Sequence, residues 1–239
     1  MRWLIYGLSC VLIVGSAIIV GSVFFLFKYG KGLPEYGQLA DYKPSVVTRV
    51  HGGDGRLLAE YAKERRVFVP VEVMPKLLIK AFLSSEDKNF YSHQGIDVKS
   101  LLSAAFDNLI NLTSGRRPRG ASTITQQVAK NFLLTNEVSI ERKIKEAILA
   151  FRIEKALSKN RILELYLNEI YLGFGSYGVA AAALNYFDKS LDELSVAEVA
   201  YLAALPKAPN NYHPVRKKQA ALARRNWVIQ QMHKNGFIS

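Results

Sequence analysis

The sequence predicts a mainly α-helical protein with a short β element at the start of its folded part and one transmembrane helix before that. Three observations support this fold class. No residue from Trp3 to Phe27 is charged. β-Branched residues flank a glycine-rich turn between 46 and 61, and from Pro75 onward apolar residues recur at the i, i+3, i+4 spacing of helices.

The uncharged segment Trp3–Phe27 is long enough, at about 1.5 Å per residue, to cross a hydrocarbon core of roughly 30 Å. No Ala-x-Ala pattern precedes Lys28, so we expect an uncleaved anchor over residues 1–30 rather than a signal peptide. Basic residues flank both ends, which leaves the orientation of the anchor open. Residues 31–45, rich in Gly, Pro and Tyr, are predicted as a linker, and 46–239 as one folded domain.

Within that domain, Val46–Tyr61 is predicted as a β-hairpin around the turn His51–Arg56. Thr123 and Gln126 match a capping box, which predicts a helix start at that point. Gly173–Gly178 is predicted as a turn. Helical periodicity predicts seven helices, at Pro75–Glu86, Val98–Leu112, Thr123–Phe132, Ser139–Ala156, Arg161–Tyr171, Val179–Tyr186 and Ser195–Ala204.

Charge restricts the class of partner. The 239 residues carry a formal net charge of +12, which favours a nucleic acid, a phospholipid surface or a phosphorylated substrate without choosing among them. The basic loop Ser114–Gly120 follows an apolar helix, so it could lie against anionic headgroups or simply be solvated. The single cysteine, Cys10, excludes disulfides within the chain and metal sites built from several thiolates.

One cluster of candidate catalytic residues runs from Glu86 to Gly95 and contains Asp87 and His93. A carboxylate at a helix end, desolvated by neighbouring aromatic rings, is a candidate general base with a raised pKa. The ordinary alternative is a solvated or capping carboxylate with a structural histidine nearby. This cluster alone does not decide between the two.

Two further clusters offer groups for an anionic substrate. The segment Gly120–Asn131 packs hydroxyls, amides and a lysine around one helix start, which suits a sugar or a phosphate, or serves only as a cap. Arg142 and Lys143 share a helix face with Glu146, and this face either binds a diphosphate or forms solvated ion pairs.

The order and spacing of these clusters resemble the glycosyltransferase domain of class A penicillin-binding proteins and their monofunctional relatives. The resemblance spans Val46 to Met232. It is carried by five motifs, which are Glu86-Asp87-Lys88-Asn89-Phe90 with His93 and Gly95, Gly120 with Ser122-Thr123-Ile124-Thr125-Gln126-Gln127, Arg142-Lys143 with Glu146, Arg161–Asn168 with Tyr171-Leu172-Gly173, and Ala203–Pro209.

This resemblance implies a lysozyme-like helical catalytic lobe and a smaller membrane-associated lobe, here Val98–Arg119. The implied enzyme polymerises lipid II, a lipid-linked disaccharide-pentapeptide, into β-1,4-linked glycan strands. It inverts the sugar carbon and releases polyprenyl diphosphate. The implied location is the bacterial cytoplasmic membrane, with the catalytic domain on the periplasmic or outer face. The implied partners are lipid II, the lipid-linked glycan, the membrane and other cell-wall synthesis proteins, with no nucleic acid.

The resemblance also assigns roles to residues. Glu86 and Glu146 are the implied catalytic residues, with Glu86 as the base and His93 beside it. The implied substrate site contains Asp87, His93, Ser122, Thr123, Gln127, Lys130, Asn131, Arg142, Lys143 and Lys207. No tightly bound cofactor or dedicated metal motif is expected, although a divalent cation, Mg²⁺ or Mn²⁺, could bridge Glu146 and the diphosphate.

Two other functions fit parts of the sequence. A membrane-tethered nucleic-acid-binding module would explain the charge, and a lytic enzyme would share one catalytic glutamate. The pattern from Ser85 to Lys88 fits the Ser-x-x-Lys signature of penicillin-reactive serines, but its companion Lys-Thr-Gly element is absent. We therefore do not assign this signature to the chain. Separately, we expect the chain to be the front part of a bifunctional protein, or else a monofunctional enzyme.

Overall fold

A computed structural model describes most of the folded part of the chain. The described residues are 6, 15–16, 21, 24, 27–40, 42, 48–61, 65–111, 120–135, 137 and 139–239. Most of the predicted anchor and the basic loop up to residue 119 lie outside these residues. Within the described part, no helix is both long and apolar enough to cross a membrane.

The described chain is mainly helical, as predicted. Four short strands are β1 (Thr48–His51), β2 (Leu57–Tyr61), β3 (Arg65–Arg66) and β4 (Ser176–Tyr177). The α-helices are α1 (Lys76–Glu86), α2 (Val98–Asn111), α3 (Ile124–Leu133), α4 (Ile140–Ala156), α5 (Lys159–Glu169), α6 (Val179–Phe187), α7 (Val196–Leu202) and α8 (Lys218–Lys234).

The strands form two small pairs. β1 and β2 pair antiparallel, with Thr48 opposite Tyr61, in the segment predicted as a hairpin. Between them the Gly52 amide donates to the Arg56 carbonyl at 2.8 Å. β3 and β4 pair in parallel, which the sequence did not predict because each strand has only two residues and the two are far apart in the chain.

Local hydrogen bonds explain where the helices begin. The Thr123 hydroxyl accepts from the Gln126 amide, and the Gln126 side chain accepts from the Thr123 amide, so the predicted capping box at α3 is confirmed. Ser158 caps α5, so this helix begins at Lys159, two residues before the predicted start at Arg161. α5 ends at Glu169, two residues earlier than predicted, because Tyr171 forms a bridge with Tyr177.

The core surrounds α5, whose residues from Ile162 to Asn168 are all buried. α3 packs against both α4 and α5, and α1 packs against α7 and α8. This arrangement brings the C-terminal end of α1 and the N-terminal end of α3 together. α8, which the sequence analysis did not predict, closes the same region from another direction.

Residues 31–45 are not a free linker over their described part. Leu39, in a single turn of 3₁₀ helix at Gly37–Leu39, is only 2% exposed and belongs to the hydrophobic core. Leu33 and Tyr36 also pack against that core. The composition predicted a linker because Gly and Pro indicate irregular backbone, but irregular backbone can still dock on a domain.

α2 differs from the other long helices because its apolar side chains face outward. Ala104 is its buried residue, whereas six large apolar side chains are 50–65% exposed, namely Val98, Leu101, Leu102, Phe106, Leu109 and Ile110. Such a contiguous apolar face on a surface helix marks a site of contact with a partner or a membrane.

We predict that Gly178 is required for the entry into α6. Its φ is +80°, and a Cβ there would lie 2.5 Å from the carbonyl oxygen of Asn168. Gly178→Ala should lower the free energy of unfolding by about 3 kcal/mol or more, because a left-handed conformation and a backbone clash add together. Gly175 is the matched control, with φ +67° and open space around it. Gly175→Ala should cost about 1–2 kcal/mol, and equal losses in denaturant unfolding would contradict the clash.

Candidate active site

The candidate residues converge on one open cleft of about 520 Å³. The cleft lies among the C-terminal end of α1, the N-terminal part of α3, the first turns of α4, and α8. The predicted site residues that line it are Glu86, Asp87, Ser122, Thr123, Gln127, Lys130, Arg142, Lys143, Glu146 and Lys207. Two others, His93 and Asn131, are not among the described lining residues, and Asn131 is exposed on α3.

Glu86, at the last position of α1, is the cleft carboxylate with the environment of a base. Burial raises its pKa above the ordinary value, even though a hydrogen bond from Gln127 and the charges of Arg224 and Lys207 act in the opposite direction. Gln127 Nε2 donates to Glu86 Oε2 at 2.8 Å, which fixes the orientation of the carboxyl group. A carboxylate with a raised pKa accepts a proton more readily than an exposed one.

Asp87 is directed into the protein scaffold although it adjoins Glu86. Its carboxylate accepts from the Ile124 amide at 3.0 Å and contacts His93 Nε2 at 3.0 Å. His93 Nδ1 accepts from the Gly95 amide, so we assign the ring proton to Nε2, where it is donated to Asp87. The imidazole therefore contacts Asp87 and Gly95, whereas the resemblance placed it beside the base.

The hydroxyls of Ser122 and Thr123 have different partners. Besides capping α3, Thr123 Oγ1 donates to the Gly95 carbonyl at 2.6 Å, so its hydroxyl is fully used by the scaffold. Ser122 Oγ accepts from Lys143 Nζ at 2.7 Å, which joins it to the cationic side of the cleft.

The cationic side of the cleft is built around Glu146, which is only 2% exposed. Arg142 Nη1 pairs with one of its oxygens, and Lys143 Nζ pairs with the other at 2.7 Å. Burial and the charge of Arg142 lower the pKa of both Lys130 and Lys143. Crowded cations that share one carboxylate favour an additional anion in the cleft.

Cleft residues on α8 were missed by the sequence analysis. Arg224, Trp227 and Gln231 all line the cleft, and the Arg224 guanidinium lies 3.8 Å from the centroid of the Trp227 ring. Their i, i+3, i+7 spacing is the signal that could have placed them on one helix face. Arg224 Nε is buried without a hydrogen-bond partner among the described groups.

The first turn of α2 also reaches the cleft. Asp97 and Ser100 line it, and Asn89 Nδ2 donates to Asp97 Oδ2 at 2.7 Å. Burial alone would raise the pKa of Asp97, but hydrogen bonds from Ser100 and Asn89 lower it to about 2. α2 is thus joined at its start to the loop that follows Glu86.

The described residues offer a divalent cation few ligands. Within this part of the chain, no group of three or more His, Cys, Asp or Glu residues is placed to hold a metal ion. Both oxygens of Glu146 already bind cationic side chains. A divalent cation at Glu146 would therefore compete with Arg142 or Lys143, and most of its ligands would have to come from the substrate.

The helical domain thus has a cleft in which a base-like carboxylate lies opposite a cluster of cations, and comparison with known proteins identifies its family. The family model described as Transglycosylase matches residues 54–233, and the chain belongs to this family. Among its relatives, Penicillin-binding protein 1A of Rickettsia felis is 53% identical over 233 residues, which cover 96% of this chain and 30% of the relative.

Relatives from other organisms carry the same name. Penicillin-binding protein 1A of Aquifex aeolicus is 44% identical over 100% of this chain and 32% of the relative, and that of Escherichia coli is 43% identical over 99% and 27%. The chain thus spans about a third or less of the relatives it matches. The crystal structure of Penicillin-Binding Protein 1A from Haemophilus influenzae is 28% identical, with a TM-score of 0.44, over 83% of this chain and 19% of that one.

We predict that Asp87→Ala destabilises the fold as well as the site. The change leaves the Ile124 amide and His93 Nε2–H unpaired in a buried place, which should cost about 2–4 kcal/mol. Asp54→Ala is the control, because Asp54 forms an exposed pair with Arg56 and should leave the free energy of unfolding essentially unchanged. Similar losses in urea unfolding of the two variants would show that Asp87 does not have this structural role.

Proposed function

We propose that this domain is a peptidoglycan glycosyltransferase, which polymerises lipid II into β-1,4-linked glycan strands and releases polyprenyl diphosphate in bacterial cell-wall synthesis. The observation that carries the proposal is that Glu86, with its raised pKa, shares one cleft with Lys130, Arg142, Lys143 and Lys207. Membership of the transglycosylase family and the name Penicillin-binding protein 1A of its relatives support it.

In the proposed reaction, the 4-hydroxyl of the incoming lipid II attacks the sugar carbon that bears the diphosphate of the growing strand. Glu86 removes the hydroxyl proton as the new C–O bond forms and the bond to the diphosphate oxygen breaks. Attack from the face opposite the leaving group inverts the sugar carbon. Gln127 holds the carboxyl group in place for this proton transfer.

The leaving diphosphate gains negative charge as its bond to the sugar breaks, and fixed cations stabilise that charge. Arg142 and Lys143 are held by Glu146 before the substrate arrives, so little reorganisation is needed. Lys130 and Lys207 line the same cleft and add positive charge there. Ser122 accepts a hydrogen bond from Lys143 and helps to hold that lysine in place. Asn131 and His93 remain in this proposal only as outer residues, because neither lines the cleft.

Glu146 acts in this proposal as a positioning partner for cations rather than as a second base. A Mg²⁺ or Mn²⁺ ion that accompanies the diphosphate would add further positive charge there, with Glu146 as its protein ligand. Such an ion would have to displace one of the two cationic side chains from the carboxylate.

We further propose that α2 contacts the bilayer as part of the smaller lobe, beside a lysozyme-like catalytic lobe. Its exposed apolar face supports this, because a polyprenyl substrate must reach the cleft from the membrane. The predicted anchor, 1–30, would hold the catalytic domain, 46–239, at the periplasmic or outer face of the cytoplasmic membrane.

The test of the proposed function is polymerisation of radiolabelled lipid II by the purified full chain in detergent. We expect polymer from the unchanged protein. Glu86→Gln should lower turnover by about 10²- to 10⁴-fold because it removes the base while keeping the size of the side chain. Binding of the lipid-linked donor should be nearly unchanged. A Glu86→Gln protein with near wild-type turnover would exclude Glu86 as the base. Shortening of added glycan strands, without polymer from lipid II, would indicate a lytic enzyme.

Glu146→Gln should act on donor binding. Removing the negative charge frees Arg142 and Lys143 from their partner, so we expect the KM for the donor to rise about tenfold together with a loss of rate. Glu141→Gln is the control on the same helix, because Glu141 is exposed and pairs with Lys145 outside the cleft. The role assigned to Glu146 is wrong if the two variants have the same KM.

Membrane contact by α2 can be measured with an environment-sensitive fluorophore. In a Cys10→Ser background, a label at Leu109→Cys should shift to shorter wavelength when the full chain is placed in anionic vesicles, because Leu109 is 65% exposed on the apolar face. The same label at Asp192→Cys, an exposed site near α7, should not shift. Equal spectra at both positions would refute contact through α2.

A further inference from the structure

The segment that precedes the folded domain is bound to it by specific contacts. We call residues 33–40 together with Tyr42 the strap. Leu39 inserts into the core at 2% exposure, and Leu33 and Tyr36 pack beside it. The strap therefore has a fixed place on the domain, whereas a flexible tether would leave its side chains solvated.

Arg161, at the start of α5, holds the strap by its backbone. The two N–H groups of its Nη2 are shared among the carbonyl oxygens of Leu39, Ala40 and Tyr42, at 3.3, 3.1 and 2.9 Å. Its Nη1 pairs with Glu164 one turn along the helix. A guanidinium can direct several N–H groups at once in a fixed plane, which the single ammonium of lysine cannot do.

The same face of α5 holds a second passing segment. Glu164 Oε2 accepts from the Val71 amide at 3.0 Å. Asn168 accepts from the Val69 amide and donates to the Val69 carbonyl, both at 2.9 Å. Arg161, Glu164 and Asn168 thus bind backbone of the protein itself, and none of them lines the cleft.

Tyr42 connects the strap to α3, the helix that carries Lys130 of the cleft. Its hydroxyl donates to Glu169 at 2.6 Å, and its ring meets that of Phe132 edge-on at a centroid distance of 4.8 Å. Phe132 lies on α3 two residues after Lys130. The strap therefore supports the C-terminal turn of α3 directly behind a cleft lysine.

Before the strap, the chain also approaches α4. A Cβ on Gly30 would lie 3.3 Å from a guanidinium nitrogen of Arg152. Arg152 is on the helix that carries Arg142, Lys143 and Glu146. The described contacts of 30–42 thus reach α3, which carries Lys130, α4, which carries Arg142 and Lys143, and α5.

We propose that the strap positions the donor side of the cleft, with Arg161 and Tyr42 as positioning residues that act through α3. This inference rests on the proposed function, because it assigns those cations to the diphosphate. Loosening the strap lets the C-terminal turn of α3, with Lys130, shift, while the N-terminal end of α3 stays tied to α1 through Asp87 and Gln127. The expected loss therefore falls on donor binding, whereas the proton transfer at Glu86 is preserved.

The experiment compares full-chain Arg161→Lys and Tyr42→Ala with the unchanged protein, using radiolabelled lipid II in detergent. Each variant should raise the KM for the lipid-linked glycan donor by about tenfold, with kcat within about twofold. Tyr42→Phe keeps the ring against Phe132 and should recover most of the loss. Arg56→Lys changes an exposed Arg–Asp pair outside the strap and should have the kinetics of the unchanged protein.

Hydrogen exchange of the Leu39 and Ala40 amides, which donate to Tyr36 and Gly37, reports strap docking without any activity. These amides should exchange faster in Arg161→Lys than in Arg56→Lys. An unchanged exchange rate in Arg161→Lys would overturn the inference, and so would fast exchange with an unchanged KM. Failure of the proposed function is seen differently, as a wild-type protein that makes no polymer.

Discussion

The carboxylate of Asp87 is the interaction on which the rest of the cleft depends. It accepts a hydrogen bond from the first amide of α3 and another from His93, so the end of α1 and the start of α3 are tied at one buried point. Glu86 precedes Asp87, and Gln127 lies one turn into α3, so the same tie brings the base and its hydrogen-bond donor together. A charged hydrogen bond in a buried place is costly to break, which makes it suitable for this role.

The second constraint is electrostatic. Glu86 has its pKa raised by burial, whereas Glu146 is buried between Arg142 and Lys143 and serves to hold them. The two carboxylates thus differ in role because their surroundings differ, in the way that paired carboxylates are tuned in other enzymes. The cations remain in excess of this carboxylate, so the cleft presents a base on one side and a site for an anion on the other.

The sequence predicted most helices because their starts depend on local rules. Thr123 and Gln126 form the predicted capping box, and Ser139, the first residue of its predicted helix, caps α4. It could not place groups that meet only in three dimensions. The docked strap depends on Arg161, which is remote in sequence, and the approach of Arg224 to Glu86 depends on a helix whose apolar periodicity is weak. The motifs contain many of the residues that line the cleft, yet the partners of His93 and Thr123 emerged only from the fold.

Burial raises the pKa of Glu86 and thereby makes it a base. The most direct measurement of this pKa is a ¹³C NMR titration of the Glu86 carboxyl carbon in the full chain. The Glu86→Gln variant assigns the resonance. We expect the pKa of Glu86 to lie above the ordinary value of 4.5. Hydrogen bonds from Ser190 lower the pKa of the exposed Glu193, so Glu193 should titrate at lower pH in the same spectra. A pKa for Glu86 at or below 4.5 would show that burial does not tune this carboxyl group as a base.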